Sequence, residues 1–468
     1  MGPLRALLYE LKENYREQPA FLYVENGEIK SISYDKFLQD ISSQSAHYRK
    51  LSQVRIGLWG YNSYRWVTAA IGILLAGKHC ILFDANLENP ELLALAKYGD
   101  TELIAVDPEL SDEAEELAPY IRTENYGSWE WAEETEEEPE EKDFMCFTSG
   151  TSQSTKGVII SSQAFCTSIG PVRQALSGQR GSLSFMPLPF HHIYGFTMMI
   201  LILSYGGTVC LGRGGRYLME DMEKFRPQAA FLVPSMLQYM RKKQEWPKSL
   251  RTVYTGGSYL QPDLAAAVAE QGIRLRNLYG LSETTGCICA SWEEKGTQWL
   301  KPVEGVQFTA GPDGEIGVYL SYHMDGYYKK DAETRQVLDK EKHLFWTGDA
   351  GELDPDGWVR IKGRIRDTIV MENGEKIHAE DTDRLLIALE GVEDGAVIQT
   401  KEGLGAILVP RKGESEEQIR RAVENFNKKR PVDRQMRKIW LRKEPLPRTA
   451  AGKLRRFQLE LEYGGGNR

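Results

Sequence analysis

The chain has 468 residues, of which 41% are hydrophobic and 27% are charged, as in an ordinary soluble globular protein. Its length exceeds what one hydrophobic core usually supports and predicts at least two domains. Six cysteines are too few for a disulfide framework, and the longest apolar stretch, residues 198–205, is too short to span a bilayer. The composition argues against a disulfide-stapled scaffold and against a membrane-spanning protein.

The net charge of −9 comes almost entirely from one acidic run. Residues 130–143 contain nine acids and one lysine, and we interpret them as a solvated surface loop. The N-terminal residues lack the apolar core and cleavage site of a signal peptide, so we expect a cytoplasmic location. Four cysteines lie in apolar sequence and are predicted to be reduced core thiols: Cys80, Cys146, Cys166 and Cys210. The remaining two, Cys287 and Cys289, do not have the spacing of a redox or zinc motif.

The predicted elements begin with an amphipathic helix, followed from residue 53 by a strand–helix–strand pattern. There VRIGLWGYN indicates a strand and a turn, and WVTAAIGILLAGKHCILFD indicates a helix and a second strand. Such a unit implies a parallel sheet, to which LIAVD at 103–107 adds a buried strand. The alternation returns at AAFLVPSMLQYMRK, LRTVYTGGSYLQ and IRLRNLYGLSETTG, where each strand runs into a polar or Gly-rich turn. Ligands of open α/β sheets bind at such strand ends.

The pattern changes after Gly305, where short alternating strands with Asp-Gly and Asn-Gly turns indicate antiparallel sheet. Roughly 100 residues beyond Arg366 carry their own helix and strand signals and predict a small domain. We therefore predict an α/β fold in which residues 1–365 form a large N-terminal domain of mostly parallel α/β layers plus antiparallel or barrel-like sheet. Residues 366–468 are predicted to form a small, separate α+β domain.

The strongest local signal is FTSGTSQSTKGV, residues 147–158. A strand enters a run of hydroxyls and glycines that ends at Lys156. Backbone N–H groups, hydroxyls and a lysine can surround a polyphosphate, although the segment lacks the spacing of a Walker A loop. A polar surface loop is the alternative interpretation of this segment taken alone.

Four more segments follow in order: TGGSYL from residue 255, YGLSET from 279, TGDAGELDPDGWVRIKGR from 347 and PRTAAGKLRR from 447. Together with the first, they resemble the motifs of the adenylate-forming superfamily, which includes acyl-CoA synthetases, amino-acid adenylation domains and luciferases. The resemblance covers nearly the whole chain and implies an AMP-forming ligase. Such an enzyme joins a carboxylic acid to AMP with release of pyrophosphate, because a free carboxylate is a poor electrophile, and then passes the acyl group to a thiol.

The resemblance implies a set of residues that bind ATP and Mg²⁺. Those that would hold the β- and γ-phosphates are Thr148, Ser149, Gly150, Thr151 and Lys156. Those placed around the rest of the nucleotide are Gly256, Gly257, Asn277, Tyr279, Ser282, Asp349 and Arg364. The carboxylate of Glu283 would ligate Mg²⁺. Lys453 would stabilise charge in the adenylation transition state, and it forms the predicted catalytic set with Lys156 and Glu283.

Two of these assignments have simple structural alternatives. Asp349 lies in turn-rich sequence, where Asp is common for backbone reasons alone. Lys453 is one of many lysines in a basic segment, and only the surrounding pattern distinguishes it.

The resemblance also implies a second conformation for transfer to the thiol. The small domain would rotate about a hinge at Arg366, and Gly374 would line a tunnel for the pantetheine arm. A charged residue at a domain junction and a glycine after Asn in a hairpin are also ordinary structural features. His192, in LPFHHIYGF, would border the acyl pocket, unless it is a packed core histidine.

The chain departs from the family pattern at several positions. In the phosphate loop, Gln153-Ser154-Thr155 replaces Gly, any residue and Pro, which should change loop mobility and nucleotide affinity. Ser282 stands where the family prefers Thr and keeps the hydroxyl. Ala379 replaces a proline, and Asp381-Thr382-Asp383 replaces Glu-Ile-Glu, which bears on how the small domain docks.

The segment 188–196 has no acid to bind a substrate amine, which argues against an α-amino acid and favours an acid with an apolar body, fatty or aryl. Free CoA is the expected acceptor. The alternative is the phosphopantetheine of an acidic carrier protein, which would suit residues 419–456, with 14 Lys or Arg and three acids. A catalytically idle nucleotide-binding protein would require Lys453 and Glu283 to have no function. No nucleic-acid partner is expected.

Overall fold

The computed structural model of the chain describes residues 1–126, 138–148, 156–176, 178–370, 376–400, 402–448 and 454–464. The chain divides into two compact units. Unit 1 consists of Met1–Thr148, Thr155–Gln307 and Tyr319–Phe345, and unit 2 consists of Ser149–Ser154, Phe308–Val318 and Trp346–Arg468. Within these described ranges, no helix combines the length and apolarity needed to cross a membrane.

The helices of the described residues are, in chain order, α1 (Pro3–Tyr15), α2 (Tyr34–Lys50), α3 (Tyr64–Leu75), α4 (Asn89–Tyr98), α5 (Ser111–Glu115), α6 (Ser162–Leu176), α7 (Ile193–Ser204), α8 (Leu218–Phe225), α9 (Pro234–Lys243), α10 (Pro262–Glu270), α11 (Asp331–Val337), α12 (Ala379–Ile387), α13 (Glu416–Lys428) and α14 (Arg456–Tyr463). The strands are β1 (Pro19–Glu25), β2 (Glu28–Ser33), β3 (Arg55–Trp59), β4 (His79–Phe83), β5 (Leu103–Val106), β6 (Arg122–Asn125), β7 (Asp143–Thr148), β8 (Lys156–Ser161), β9 (Leu183–Met186), β10 (Thr208–Leu211), β11 (Ala229–Leu232), β12 (Thr252–Thr255), β13 (Arg274–Leu281), β14 (Gly286–Trp292), β15 (Gly296–Pro302), β16 (Gln307–Ala310), β17 (Glu315–Tyr319), β18 (Gly326–Tyr327), β19 (Leu338–Asp339), β20 (Leu344–Leu353), β21 (Val359–Arg364), β22 (Thr368–Val370), β23 (Lys376–His378), β24 (Val392–Thr400), β25 (Gly403–Pro410) and β26 (Met436–Leu441).

Two sheets organise unit 1. One has the order β15-β14-β13-β12-β11-β9-β10-β1-β2, and the other has the order β18-β8-β7-β4-β3-β5-β6. The strands β9 to β13 pair in parallel within the first sheet, and β6, β5, β3, β4 and β7 pair in parallel within the second. This arrangement confirms the strand–helix–strand prediction from residue 53, since β3 and β4 are adjacent parallel strands joined by α3.

The helices α3 and α7 are largely apolar and cover parts of these sheets. Every residue of α3 from Trp66 to Leu75 is buried, and Ser63 caps the helix by accepting a hydrogen bond from the backbone N–H of Trp66. In α7 all residues except Tyr194 are buried. A helix that is apolar on all sides packs between protein layers, so the longest apolar stretch of the sequence is a core helix.

The acidic run is partly integrated into the fold, contrary to its interpretation as a solvated loop. The side chain of Glu141 is 2% exposed and accepts hydrogen bonds from the backbone N–H groups of Leu4 and Arg5, both at 2.9 Å. It therefore caps the N-terminus of α1, where a carboxylate is stabilised by orphan N–H groups and the helix dipole. Residues 130–137 of the run lie outside the described residues.

Unit 2 is built mainly from antiparallel strands, as predicted for the sequence after Gly305. Its strands follow the order β16-β17-β20-β21, and β22 pairs with β23. A three-stranded sheet, β24-β25-β26, carries α12, α13 and α14 with a core of its own around Leu386, Leu408 and Ile419. The predicted domain boundary after residue 365 lies inside unit 2 and stays a prediction.

All six cysteines are free, and five of them are buried. Burial raises the pKa of the thiols of Cys146, Cys166, Cys210 and Cys287 to about 12. They therefore stay protonated and act as small apolar groups. Among the described residues no cluster of three or more His, Cys, Asp or Glu side chains could hold a metal ion by itself.

Candidate active site

The carboxyl ends of seven strands of unit 1 lead into the predicted site. Four of them are parallel strands of the first sheet: β9 leads to residues 187–192, β11 to Val233, β12 to Gly256 and β13 to Glu283. Three belong to the second sheet, where β3, β4 and β7 are parallel and β7 ends at Thr148. Parallel strands end at the same edge of a sheet, which groups the motif residues within each sheet, and the contacts of Tyr327 with Glu283 and of Asn62 with Phe190 join the two groups.

The phosphate-loop motif forms a β-hairpin. β7 and β8 are antiparallel and pair Thr148 with Lys156 at the end next to the connecting loop, where the hydroxyl of Thr148 donates to the carbonyl of Lys156 at 3.5 Å. β8 was not predicted, because its residues follow the loop without a separate turn signal. The hairpin places Thr148 and Lys156 side by side at the two bases of the loop.

Lys156 and Glu283 converge on one tyrosine. The ammonium of Lys156 lies 4.4 Å from the ring centroid of Tyr327, and the hydroxyl of Tyr327 donates to Glu283 at 2.9 Å. Lys156 also pairs with Glu333 at 2.7 Å, which lowers the pKa of that carboxyl. The side chain of Tyr327, a residue that is 6% exposed, thereby contacts a cation at its ring face and a carboxylate at its hydroxyl.

These residues fit a Mg²⁺–phosphate group. The carboxylate of Glu283 is a hard oxygen ligand of the kind that Mg²⁺ uses together with substrate phosphates, and Lys156 supplies a positive charge beside it. Ser282 and Glu283 both lie next to Cys146: burial and the charge of Glu283 raise the pKa of that thiol, and a hydrogen bond with Ser282 opposes the rise. The thiol therefore stays protonated beside the carboxylate, so it neither adds charge to the site nor serves as a nucleophile.

Two glycines, Gly256 and Gly257, directly follow β12. A Cβ atom on Gly256 would come within 2.8 Å of the carbonyl oxygen of Leu278, and Gly257 has a φ of +80°. The ring of Tyr194, from the first turn of α7, is close to both glycines. A side chain at position 256 would therefore collide with the backbone of β13, and the left-handed conformation at position 257 favours glycine.

Tyr279 and Asn277 lie on β13, next to this glycine pair. Thr255 and Asn277 are partners across β12 and β13. The side-chain amide of Asn277 donates to the carbonyl of Thr297 at 2.9 Å, and its backbone N–H donates to Ser291 at 2.8 Å. Asn277 thus ties β13 to β14 and β15.

His192 ends a turn that is held by Asn62, a residue that follows β3. The side-chain amide of Asn62 donates to the carbonyl of Leu188 at 2.5 Å and accepts from the backbone N–H of Phe190 at 2.9 Å. A Cβ atom on Gly195 would lie 2.3 Å from the carbonyl oxygen of Pro189, so the turn folds onto α7 only because glycine is there. His192 immediately precedes α7.

In unit 2, two of the residues predicted to surround the nucleotide, Asp349 and Arg364, form an ion pair. The guanidinium Nε of Arg364 lies 3.0 Å from a carboxylate oxygen of Asp349, which is 4% exposed, and the two residues are partners across β20 and β21. The hydroxyl of Thr347 accepts from the backbone N–H of Asp349 at 3.1 Å, and its carbonyl accepts from Arg364 at 3.0 Å. A buried, oriented carboxylate can accept hydrogen bonds from two hydroxyls.

The remaining predicted residues fall outside what the structure describes. These are Ser149, Gly150, Thr151, Gly374 and Lys453, together with the departures Gln153-Ser154-Thr155. Arg366 lies in a short 3₁₀ turn, Ile365–Asp367, and its side chain is likewise outside the described set.

Sequence reasoning missed three residues that organise this site: Asn62, Tyr327 and Glu333. Asn62 follows a predicted Gly-bearing turn, so its place at a strand end was available as a signal. Tyr327 and Glu333 lie in a segment without a motif and reach the site only through the pairing of β18 with β8.

Comparisons with known proteins show which family the chain is similar to. A family model described as AMP-binding enzyme matches residues 9–319. A 2-succinylbenzoate--CoA ligase of Bacillus cereus (strain ATCC 10987 / NRS 248) is 24% identical over 480 residues, which cover 96% of this chain and 98% of that protein. A 4-coumarate--CoA ligase-like protein of Oryza sativa subsp. japonica is 29% identical over 360 residues, which span 68% of this chain and 63% of the rice protein.

The fold is shared with a solved structure. O-succinylbenzoate coenzyme A synthetase from Bacillus subtilis, in complex with ATP and magnesium ion, matches with a TM-score of 0.82 at 21% identity, covering 97% of this chain and 99% of that one. The fold and the site thus define an AMP-forming acid–thiol ligase. The chain belongs to the AMP-binding enzyme family. The superfamily resemblance, the mixed α/β fold and the enzyme class are confirmed.

Proposed function

We propose that the protein is an AMP-forming acid–CoA ligase that activates an aryl carboxylic acid. The reaction uses ATP and Mg²⁺, releases pyrophosphate, and transfers the acyl group from the adenylate to the thiol of CoA. The observation that carries this proposal is the convergence of Lys156 and Glu283 on Tyr327 at the strand ends of unit 1. It occurs in a chain that aligns with almost the full length of a 2-succinylbenzoate--CoA ligase.

The described residues have distinct tasks in the adenylation step. Lys156 would neutralise the triphosphate, whose negative charge otherwise repels the incoming carboxylate. Glu283 would hold Mg²⁺, which supplies further positive charge to the phosphates when bound. Gly256 and Gly257 would admit the adenine, and Asp349 would accept hydrogen bonds from the ribose hydroxyls.

The other assigned roles rest on the family resemblance alone and belong to the same proposal. Ser149, Gly150 and Thr151 would complete the phosphate loop. Lys453 would act in adenylation, and Arg366 and Gly374 would serve as hinge and tunnel residue for transfer. The domain boundary after residue 365, the rotation of the small domain and the cytoplasmic location are retained with them.

The choice of an aryl acid is supported from two sides. The turn 188–196 carries no carboxylate for a substrate amine, and His192 with its apolar neighbours would border the acid. The names of the relatives include a 2-succinylbenzoate--CoA ligase and a 4-coumarate--CoA ligase-like protein, and both named acids are aromatic. A planar acid suits a pocket bordered by imidazole and phenol rings.

A pyrophosphate-release panel tests the substrate. The panel contains aryl acids, fatty acids of graded chain length and α-amino acids, each with ATP and Mg²⁺. The expected result is release with at least one aryl acid at a kcat/KM at least tenfold above every fatty acid, with no release for amino acids. Faster turnover with fatty acids would overturn the choice of acid, and formation of ADP and phosphate would contradict the adenylation mechanism itself.

The carrier-protein alternative is weakened by the ion pairs of unit 2. Many basic side chains of residues 419–456 are paired with acids: Arg420 with Glu416, Arg421 with Glu417, Lys438 with Glu402, Arg442 with Glu462 and Arg448 with Asp394. The net positive charge that such a segment presents to an acidic partner is therefore smaller than its sequence indicates.

Transfer assays across a salt series separate the two acceptors. With CoA as acceptor, charge reversal at Lys428 or Lys429 should leave the transfer rate within about twofold, because a small ligand meets only the charges beside its tunnel. An acidic carrier protein that is acylated faster than CoA, with a rate that falls steeply as salt rises, would reverse our preference.

A further inference from the structure

A second histidine lies beside the predicted acid-pocket histidine. The ring centroids of His191 and His192 are 4.2 Å apart, and their planes are inclined by 53°. His191 is buried, whereas His192 is partly exposed. The ring of His191 therefore forms part of the support on which the ring of His192 lies.

The buried ring of His191 faces a carboxylate. Its Nε2 atom lies 3.6 Å from Oδ2 of Asp84, and the described residues offer this nitrogen no hydrogen bond. The other oxygen of Asp84 accepts two hydrogen bonds from Asn86, at 3.0 and 2.9 Å, which fix the orientation of the carboxylate. Because 3.6 Å is longer than a hydrogen bond, a shift of less than 1 Å or so would close the contact.

Both partners are anchored at strand ends. Asp84 directly follows β4, and the turn that carries His191 is clamped by Asn62 after β3. β3 and β4 are paired in register along their length. The distance from Asp84 to His191 is therefore set by two adjacent strands of one sheet and a single turn.

The charge state of the pair follows from its surroundings. Burial lowers the pKa of His191, and the carboxylate of Asp84 opposes that change. A neutral imidazole carries one N–H donor and one acceptor nitrogen. A neighbouring carboxylate favours the tautomer that places the N–H toward it, and so it fixes the ring.

We propose that Asp84 and His191 are positioning residues for the acid substrate. Asp84 fixes the tautomer and orientation of His191, and the ring of His191 holds His192 in place at the acid pocket. The inference rests on the proposed function, because it takes His192 to border the bound acid. Neither Asp84 nor His191 is assigned contact with ATP.

The test uses Asp84→Asn and His191→Phe, singly and together, in pyrophosphate exchange with the acid and ATP varied in turn. Each single variant is expected to raise the KM for the acid about tenfold and to leave the KM for ATP within twofold. The double variant should be no worse than the more impaired single variant, because both act through one ring. A purely structural role would lower activity without this split between the two substrates.

The chain offers a matched control at the other end of the same strand. His79 begins β4 and pairs with Asp143 at 2.9 Å. At a rise of about 3.3 Å per residue, His79 is about 16 Å along the strand from Asp84. His79→Phe and Asp143→Asn remove a similar contact and should leave the KM for the acid unchanged. An equal rise in these controls, an unchanged KM in the test variants, or additive effects in the double variant would each overturn the positioning role.

If the proposed function itself is wrong, the experiment gives a different result from the one expected when only the positioning role is wrong. In that case the unmodified enzyme shows no acid-dependent pyrophosphate exchange with any member of the panel. If only the positioning role is wrong, the unmodified enzyme still shows that exchange, but the variants show no selective rise in the KM for the acid.

Discussion

At the scale of single residues, Tyr327 connects the two charged side chains of the proposed ATP site. Its ring lies under the ammonium of Lys156, and its hydroxyl donates to Glu283. These two contacts have different chemical origins, so they can be removed one at a time.

Tyr327→Phe should raise the KM for MgATP about tenfold. The variant keeps the ring beneath Lys156 and loses a hydrogen bond to a carboxylate, a contribution of about 1–1.5 kcal/mol. Tyr327→Leu also removes the cation–π contact and should cost a further few-fold. Steady-state kinetics with ATP varied give the measurement. Tyr328→Phe is the control, since that hydroxyl binds Asp100 at an exposed site, and an equal effect there would argue against a specific role.

Glu380 provides a pH-dependent contribution to the stability of unit 2. Burial raises its pKa from 4.5 to about 6, an effect that Arg384 and Arg456 oppose and that Asp367 and Asp383 reinforce. Because the pKa of Glu380 is higher in the folded state than in the unfolded state, the stabilisation contributed by its protonated form is fully present below pH 4.5. It is lost as the pH rises through 6.

Glu380→Gln should therefore stabilise the protein at pH 7 by up to about 2 kcal/mol and have little effect at pH 4. Urea unfolding at the two pH values measures the difference. An equal gain at both pH values would show that ionisation of Glu380 is not the cause.

At the scale of elements, a buried ion pair joins α12 to α14 in unit 2. Arg456 is 5% exposed, and its guanidinium donates to the carboxylate of Asp383 and to the carbonyl of Val397 on β24. The carboxylate also accepts from the backbone N–H of Val397 at 2.6 Å. Asp383 is one of the positions that departs from the family pattern, and the structure gives it this role in packing.

Arg456→Met should lower the free energy of unfolding by about 3–5 kcal/mol, because it leaves the carboxylate of Asp383 buried without its cation. Asp383→Asn together with Arg456→Met should recover most of that loss. Arg448→Met is the exposed counterpart, and removal of its pair with Asp394 should cost less than about 1 kcal/mol. Urea unfolding decides the matter, and equal losses for Arg456→Met and Arg448→Met would contradict the assignment.

At the scale of the whole molecule, the two half-reactions should respond differently to Lys453→Ala. The family resemblance places this lysine in adenylation and moves it away for thiol transfer. We expect acid-dependent pyrophosphate exchange to fall about a hundredfold or more, the loss of roughly 3 kcal/mol of transition-state stabilisation.

Transfer from a preformed acyl-adenylate to CoA should fall by no more than a few-fold in the same variant. Lys443→Ala, at an exposed position of the same basic segment, should leave both rates unchanged. Equal losses of the two half-reactions in Lys453→Ala would count against domain alternation.

Most of the core was predictable because its elements repeat a short-range pattern. The parallel strands β3, β4 and β5 and the helix between the first two follow from apolar runs bounded by turn residues. The acidic run shows the limit of such reasoning. Composition alone indicates a solvated loop. The side chain of Glu141 is nevertheless buried, because it accepts hydrogen bonds from the unpaired N–H groups at the N-terminus of α1, 136 residues away in sequence.

The sequence by itself determined the family, the motif residues and the kind of chemistry, because ordered motifs with fixed residue types are local features. Only the tertiary structure decided which charges meet. Tyr327 and Glu333 reach Lys156 through strand pairing across more than 150 residues, and Asp84 faces His191 because Asn62, after the neighbouring strand β3, holds the turn before α7. No local pattern encodes such contacts, since they depend on the register of strands that are distant in sequence.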